Sequence, residues 1–317
     1  MSQPTKSDVH VNKPLTNISI AYLQDQTQYI STKVFPNVPV QKQSDVYFKY
    51  DKGEWHNANA KPRAPGTESA GTGYTLSNDT YFCKPFALHK DVPDQLRQNA
   101  DQPLDMDRDA TLITTRSILL TQEKDWMTNY FTTGVWGTDV DVSMGTQWSA
   151  SGSTPISTLC TYVTAVEKNT GFKPNTLVIS NDVWAAIRNN ADFLDRISVT
   201  VDKIMTTDLL ARLIEVERVF VSSAVENTAK EGLTASMNWL SSKGAMLCYA
   251  APNPGLMAPS AGYTFSWSGL YGAGDNGLRT LKFRMQNLAS DRVESEMAYD
   301  QKLVASDLGV FFHKCIA

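Results

Sequence analysis

The stretch QPLDMDRDATLITTRSILLTQEKDWMTNYFTTG, residues 102–134, constrains the fold more than any other. Asp101 is placed to cap a helix, Pro103 suits its first turn, and Asp105, Asp107 and Asp109 favour the positive end of a helix dipole. An apolar stripe follows at helical spacing through Met106, Ala110, Ile113, Ser117, Leu120, Met127 and Phe131, and Gly134 supplies a stop. About 29 helical residues extend roughly 44 Å, well beyond an average helix. A helix of that length is a strut around which the other elements must be laid.

Ahead of the strut lies HNANAKPRAPGTESAGTGYTLSN, residues 56–78, long, polar and without an apolar cluster to anchor it. Before it Val46, Phe48 and Tyr50 alternate with Tyr47 and Lys49, and a returning strand pattern spans 74–91. Loops this long inside a compact domain are usually functional or disordered. The pattern predicts a long two-stranded hairpin over 46–92, and such a ribbon is marginal in water unless it lies on something else. Residues 1–45 have too little apolar density to bury themselves and read as an arm, with a short helix in LTNISIAYLQDQTQYI and an extended, Pro-broken VFPNVPVQKQS.

After a Gly/Ser/Thr-rich linker, residues 154–260 read as a small α/β unit. Thr154 and Pro155 open a helix that Gly171 ends; NTLVIS, RVFVSSAV and GAMLCYA are strands; NDVWAAIRNN and TTDLLARLI are short helices. From 261 to 317, YTFSW, LRTLKFRMQN, RVESEMAYDQKLV and GVFFHKCI alternate as antiparallel strands do. Their apolar face needs a cover, and the strut is the element available. The fold class is α+β, with one domain built, left for an insertion and rejoined.

Composition excludes several functions. A net charge of −4, with no run of Lys and Arg longer than two, is a poor match to a groove that grips nucleic acid. No stretch approaches the roughly 20 apolar residues of a membrane span, and MSQPTKSDVHVNKPL lacks the apolar segment of a secretory signal. The cysteines, Cys83, Cys160, Cys248 and Cys315, form no CxxC pair and read as free thiols of a reducing cytoplasm.

Catalytic motifs fail on context. GAGDNG (Gly272, Gly274, Gly277) is followed by the strand pattern RTLKFRM rather than a helix, so it reads as a hairpin turn and not a dinucleotide loop. DMDRD lacks the Gly and Glu of a calcium loop, having Ala110 and Arg116 there, and its acids suit a helix start. His10, His56, His89 and His313 have no zinc-ligand spacing. Glu294 and Glu296 share a strand face beside Arg292, which reads as a solvated or subunit-facing edge. No catalytic, cofactor-binding or metal-binding set is expected.

The order of parts resembles the major capsid proteins of tailed bacteriophages, with the Hong Kong 97-type fold. VFPNVPVQKQS, NTLVISNDVWAAI and APNPGLMAPSAGYTFSW also look like that family's wording. The resemblance implies an N-terminal arm (1–45), an extended loop (46–92), a peripheral domain with its spine helix (93–153 and 261–317) and an axial domain (154–260). It further implies pentamers and hexamers closing into an icosahedral virion shell around double-stranded DNA, assembled in the host cytoplasm. The extended loop would strap a neighbouring subunit through Lys52, Trp55, Lys61, Arg63 and Glu68, and Arg292, Glu294 and Glu296 would meet neighbours from the peripheral domain.

The hairpin begins after about 45 residues, so a separate scaffolding protein is expected, beside a portal and decoration proteins. Some members join a loop Lys to an Asn with a Glu assisting. Lys52 and Lys61 lie in or near this loop, but nothing in the sequence marks a partner, so no crosslink is expected; a ladder on a denaturing gel would overturn that. The competing readings are an encapsulin-like compartment and a cytosolic α/β enzyme.

Overall fold

The structure, a computed structural model, describes residues 29–50, 52–98, 105–197, 205–230, 232–255 and 258–317. Asp101, Pro103 and most of the expected arm helix in residues 15–30 lie outside them.

The chain enters through a short helix α1 (Ser31–Val34), β1 (Asn37–Val40), β2 (Ser44–Tyr50), α2 (Lys52–Trp55), β3 (Leu76–Phe82), β4 (Lys84–Pro93) and α3 (Asp94–Gln98), then the long α4 (Met106–Tyr130). It continues through β5 (Thr138–Asp141), α5 (Pro155–Thr170), β6 (Thr176–Ser180), α6 (Asn181–Arg188), α7 (Ala191–Ile197), α8 (Thr207–Leu213) and β7 (Arg218–Ser222). A small hairpin, β8 (Val225–Asn227) and β9 (Met237–Trp239), precedes β10 (Ala245–Cys248), β11 (Gly262–Trp267), β12 (Leu278–Met285), β13 (Ser290–Leu303) and β14 (Gly309–His313).

Two five-stranded sheets result. In the first, β13 is the spine: β4 pairs antiparallel along one edge from Ser290↔Pro93 to Tyr299↔Lys84, and β12 and then β11 pair along the other. The arm strand β1 joins β11 in parallel, Asn37↔Thr264 to Val40↔Trp267. The second sheet runs β5-β14-β10-β6-β7. Here the boundaries at 154 and 261 give way: GVFFHKCI does not return to the first sheet, because β14 pairs with β10 and carries β5 on its other edge. The reason is burial on both faces. Val310 and Phe312 join the core under the helices of this unit, while Phe311 joins the core at the end of α4. The continuous apolar run of β6 splits the same way, Leu177 and Ile179 to one side and Val178 to the other.

The strut is real but differs in detail. It has 25 residues and is capped by Asp105, whose carboxylate accepts from the N–H groups of Asp107 and Arg108 (both 3.1 Å). It ends at Tyr130, and Gly134 (φ +80) serves the turn beyond. Its buried face runs through Ala110, Thr111, Thr114, Thr115, Ile118, Leu119, Gln122, Glu123, Trp126 and Met127, whereas Ile113 of the expected stripe is 58% exposed. The helix meets the sheet through hydroxyls. Thr114 Oγ1 bonds Ser295 Oγ at 2.8 Å and also donates to Ala110 O, so the small polar contact leaves no unsatisfied hydroxyl there.

Farther along, fully buried Glu123 accepts from the N–H groups of Ile30 (3.0 Å) and Ser31 (2.8 Å). It caps α1 and pins the incoming chain to the strut. Burial raises the Glu123 carboxyl above its usual range, against those hydrogen bonds and Lys33, which lower it.

Gly272 (φ +77) and Gly277 (φ +69) lie in the β11–β12 connection, where Gly274 N–H donates to Leu278 O and Gly277 N–H to Gly274 O. The GAGDNG glycines therefore make a turn between strands. Cys83, Cys248 and Cys315 are buried free thiols pushed up to about 12 by burial, and Cys160 is half-buried with its thiol donating to Leu213 O at 3.9 Å. Among the described residues no helix is long and apolar enough to cross a membrane.

Candidate subunit interface

β2 and β3 pair antiparallel from Ser44↔Phe82 to Tyr50↔Leu76, forming a ribbon of their own apart from both sheets. Its root is anchored: Tyr81 stacks on Phe265 at 4.7 Å, Tyr47 packs on the same ring at 5.4 Å, and the Phe82 N–H donates to Asp300. The inward side also holds Asp79, which accepts from Tyr47 Oη (3.1 Å) and Lys49 Nζ (2.9 Å).

The outward side is the apolar one. Val46, Phe48, Tyr50, Leu76 and Phe82 are all exposed, Phe48 by 62%. Alternation over 46–50 is thus correct in period, yet its more apolar set faces away from the protein. Where the ribbon meets its tip, Tyr50, Trp55 and Tyr74 form a ring cluster with centroids 5.7 to 6.3 Å apart. Glu54 secures it by accepting from the Thr75 backbone N–H and from Thr75 Oγ1 (3.0 Å). Residues 57–73 beyond are exposed throughout and contain no strand.

The five loop residues singled out from sequence part company. Lys52 forms an ion pair with Asp307 and reaches Asn169 Oδ1 at 3.3 Å, so it is tethered to the body of its own chain. Trp55 belongs to the ring cluster and is still 54% exposed. Lys61 and Glu68 are exposed at the tip, and Arg63 donates to Thr67 O within it. The strand trio also divides. Arg292 grips Asp91 through Nε (2.7 Å) and Nη2 (2.9 Å), and Glu296 accepts from Arg279 Nε (2.8 Å). Both pairs are internal and cross-strand, while Glu294 adds its field to Arg292.

Asp307, Asn169 and the outward aromatic set were missed. The first two had no local signal, being 255 and 117 residues from Lys52. The third went unseen because alternation gives the period of a strand and not the direction in which either face points.

Two carboxylates, Asp79 in the ribbon and Asp141 at the end of β5, give the protein an acid limit. Lys49, then the Thr80 N–H, hold Asp79 down to about 2, and Lys314, then Ser143, do the same for Asp141. A carboxyl depressed in the folded state contributes stability that is full above its unfolded value near 4 and lost as pH falls toward 2. Glu123, shifted upward, acts in the opposite sense. Thermal melts are therefore expected to fall in Tm between pH 4 and 2. The Asp79→Asn/Asp141→Asn double variant should flatten that limb, and an unchanged limb would count against these two groups.

No model of a known protein family matches the chain. Among curated relatives it is similar to the major capsid protein of Burkholderia phage BcepMu, 22% identical over 227 residues, or 71% of this chain and 72% of the relative. It is likewise similar to the major capsid protein of Pseudomonas phage JBD67, 24% identical over 314 residues and 97% of each chain. Among solved structures, a phage-related protein from Bordetella bronchiseptica RB50 matches with a TM-score of 0.72 at 21% identity, over 97% of this chain and 98% of that one. The capsid of cyanophage P-SCSP1u matches at 0.57 and 9% identity, over 88% and 86%. The holo-SrpI encapsulin of Synechococcus elongatus PCC 7942 matches at 0.50 and 11%, over 98% and 91%. With a strut beneath one sheet, a second α/β sheet and a ribbon standing clear of both, the chain has the Hong Kong 97-type fold and is similar in sequence to phage major capsid proteins and in structure to a phage capsid.

Proposed function

We infer that the chain is the structural shell subunit of a tailed bacteriophage, a building block and not an enzyme. The observation that carries this is the ribbon's outward face: Val46, Phe48, Tyr50, Leu76 and Phe82 form an exposed apolar strip that a solitary soluble protein has no use for. Another copy's surface is the natural cover in a protein whose relatives are named major capsid proteins.

In this reading copies form pentamers and hexamers that close into an icosahedral shell around double-stranded DNA in the host cytoplasm, with a separate scaffolding protein, a portal and decoration proteins as partners. The first sheet with α4 serves as the peripheral domain and the second sheet as the axial one, β5 and β14 included. The ribbon straps a neighbour, tethered by noncovalent contacts. A shell that carries net negative charge encloses DNA under pressure without gripping it.

Purified protein, with or without scaffold, is expected as capsomers or closed particles in negative stain. Persistent monomer by light scattering would sink the reading. An encapsulin compartment is the weaker second reading, favoured only by the shared fold. Particles that held protein cargo and no DNA would decide for it.

A further inference from the structure

Three contacts seat the ribbon tip on the body of its own chain. The Lys52 ammonium pairs with the Asp307 carboxylate in the turn before β14, and it donates to Asn169 Oδ1 in the last turn of α5. A cation there also meets the negative end of that helix's dipole. The third contact is steric. Gly171 ends α5 in the left-handed conformation (φ +75), and a Cβ on it would come within 2.9 Å of His56 Nε2, so the missing side chain makes room for the imidazole. His56 Nδ1 in turn lies 2.8 Å from Lys52 O, which makes the ring part of the tip rather than of the seat.

The seat is specific in shape and charge yet weak in hold. Lys52 and Asp307 keep 45% and 42% of their side-chain surface in water. The ribbon carrying the tip has an outward apolar face that stays exposed among the described residues.

We propose that the seat formed by Asn169, Gly171 and Asp307 is where the Lys52–His56 tip of a neighbouring copy docks in the shell, the self-seated tip being its occupant in the free subunit. This rests on the shell-subunit reading and assigns that reading an acceptor surface. The logic is that of an exchanged element. The tip gives up one seat for an identical one on a neighbour, so the swap loses no contact, while covering the apolar face adds a gain available only between copies. The self-seated tip also delays assembly, because each seat is filled until a neighbour's tip displaces its occupant.

Charge reversal tests this directly. Free Lys52→Glu and Asp307→Lys subunits should be cut by trypsin after Arg63 roughly two- to five-fold faster than the parent, the scale of one exposed ion pair, and the double reversal in one chain should return to the parent rate. Each single variant should assemble poorly by itself. An equimolar mixture of the two should recover at least half the parent's shell yield. In the mixture the carboxylate introduced at position 52 of one chain meets the ammonium introduced at position 307 of the other. The unaltered Lys52 of the second chain meets the unaltered Asp307 of the first.

A mixture no better than its components would overturn the exchange. Unchanged cleavage in both single variants would overturn the seat itself. If the parent chain gave no closed particle, the shell reading would fall and the exchange with it, while the cleavage rates would still report whether the seat exists. Circular dichroism on each variant separates loss of assembly from loss of fold.

Discussion

Deleting residues 57–73, so that His56 is joined to Tyr74, is expected to leave a folded subunit that no longer makes stable shells. Every residue removed is exposed, and the deletion takes no strand and no core residue. Both strands of the ribbon, its root on Phe265 and the Tyr50–Trp55–Tyr74 cluster remain. Shortening a flexible loop changes its closure entropy only slowly with length, so stability should move by no more than about 1 kcal/mol. Assembly should move far more. In the proposed shell, Lys61, Arg63 and Glu68 would each add about 0.2 to 1 kcal/mol in exposed pairs with a neighbour, and a closed shell would repeat every such contact many times over. The measurement pairs a thermal melt with particle counts in negative stain. Normal shells from the shortened chain would remove residues 57–73 from the strap, and a collapsed melt would mean that those residues support the fold.

The second large effect lies at Phe35, whose ring is fully buried where the incoming chain, α4, the loop after it and β11 meet. It sits 4.8 Å from the ring of Tyr130, 5.7 Å from Trp126 and 6.4 Å from Trp136. Gly262 completes the pocket, since a Cβ there would lie 2.5 Å from Phe35 Cζ. Phe35→Ala should cost about 3 to 5 kcal/mol, the usual range for emptying an aromatic site in a core. Gly262→Ala should cost about 1 to 3 kcal/mol through overpacking. Their effects should not add: Phe35→Leu combined with Gly262→Ala should be less destabilised than the sum, because the shorter side chain vacates the space the new methyl needs. Strict additivity in urea melts would show that the two do not share one pocket.

Much of this fold was legible, and the reason is local. The strut, the ribbon and β6 each announce themselves through spacing within a few residues: capping acids ahead of a helix, alternation either side of a polar loop, an unbroken apolar run. What stayed hidden depends on partners far along the chain. Nothing near Thr114 says that its hydroxyl faces Ser295, so a hydrophobic stripe through Ile113 looked better than the real one. GVFFHKCI reads as one more returning antiparallel strand, yet β14 lies inside the other sheet, its unbroken Val310–Phe312 run buried on both faces. The candidate interface shows the same limit. Its apolar residues were visible, but the direction they face was not, and Lys52 gave no hint of Asp307.

The place of β14 has a consequence for timing. It is an inner strand of the second sheet, with β10 on one side and β5 on the other, and among the described residues β5 has no other partner. More than 160 residues separate those two parallel strands, as Thr138 pairs with Val310. During synthesis the sheet therefore keeps an open edge on β10 until residue 313 has left the ribosome, and β5 waits with nothing to pair. Asp307 lies just ahead of β14, so the tip's seat is completed in that same late step. In the proposed shell, a nascent chain would thus offer no finished docking surface to its neighbours before residue 313 has emerged, which would let synthesis itself hold assembly back.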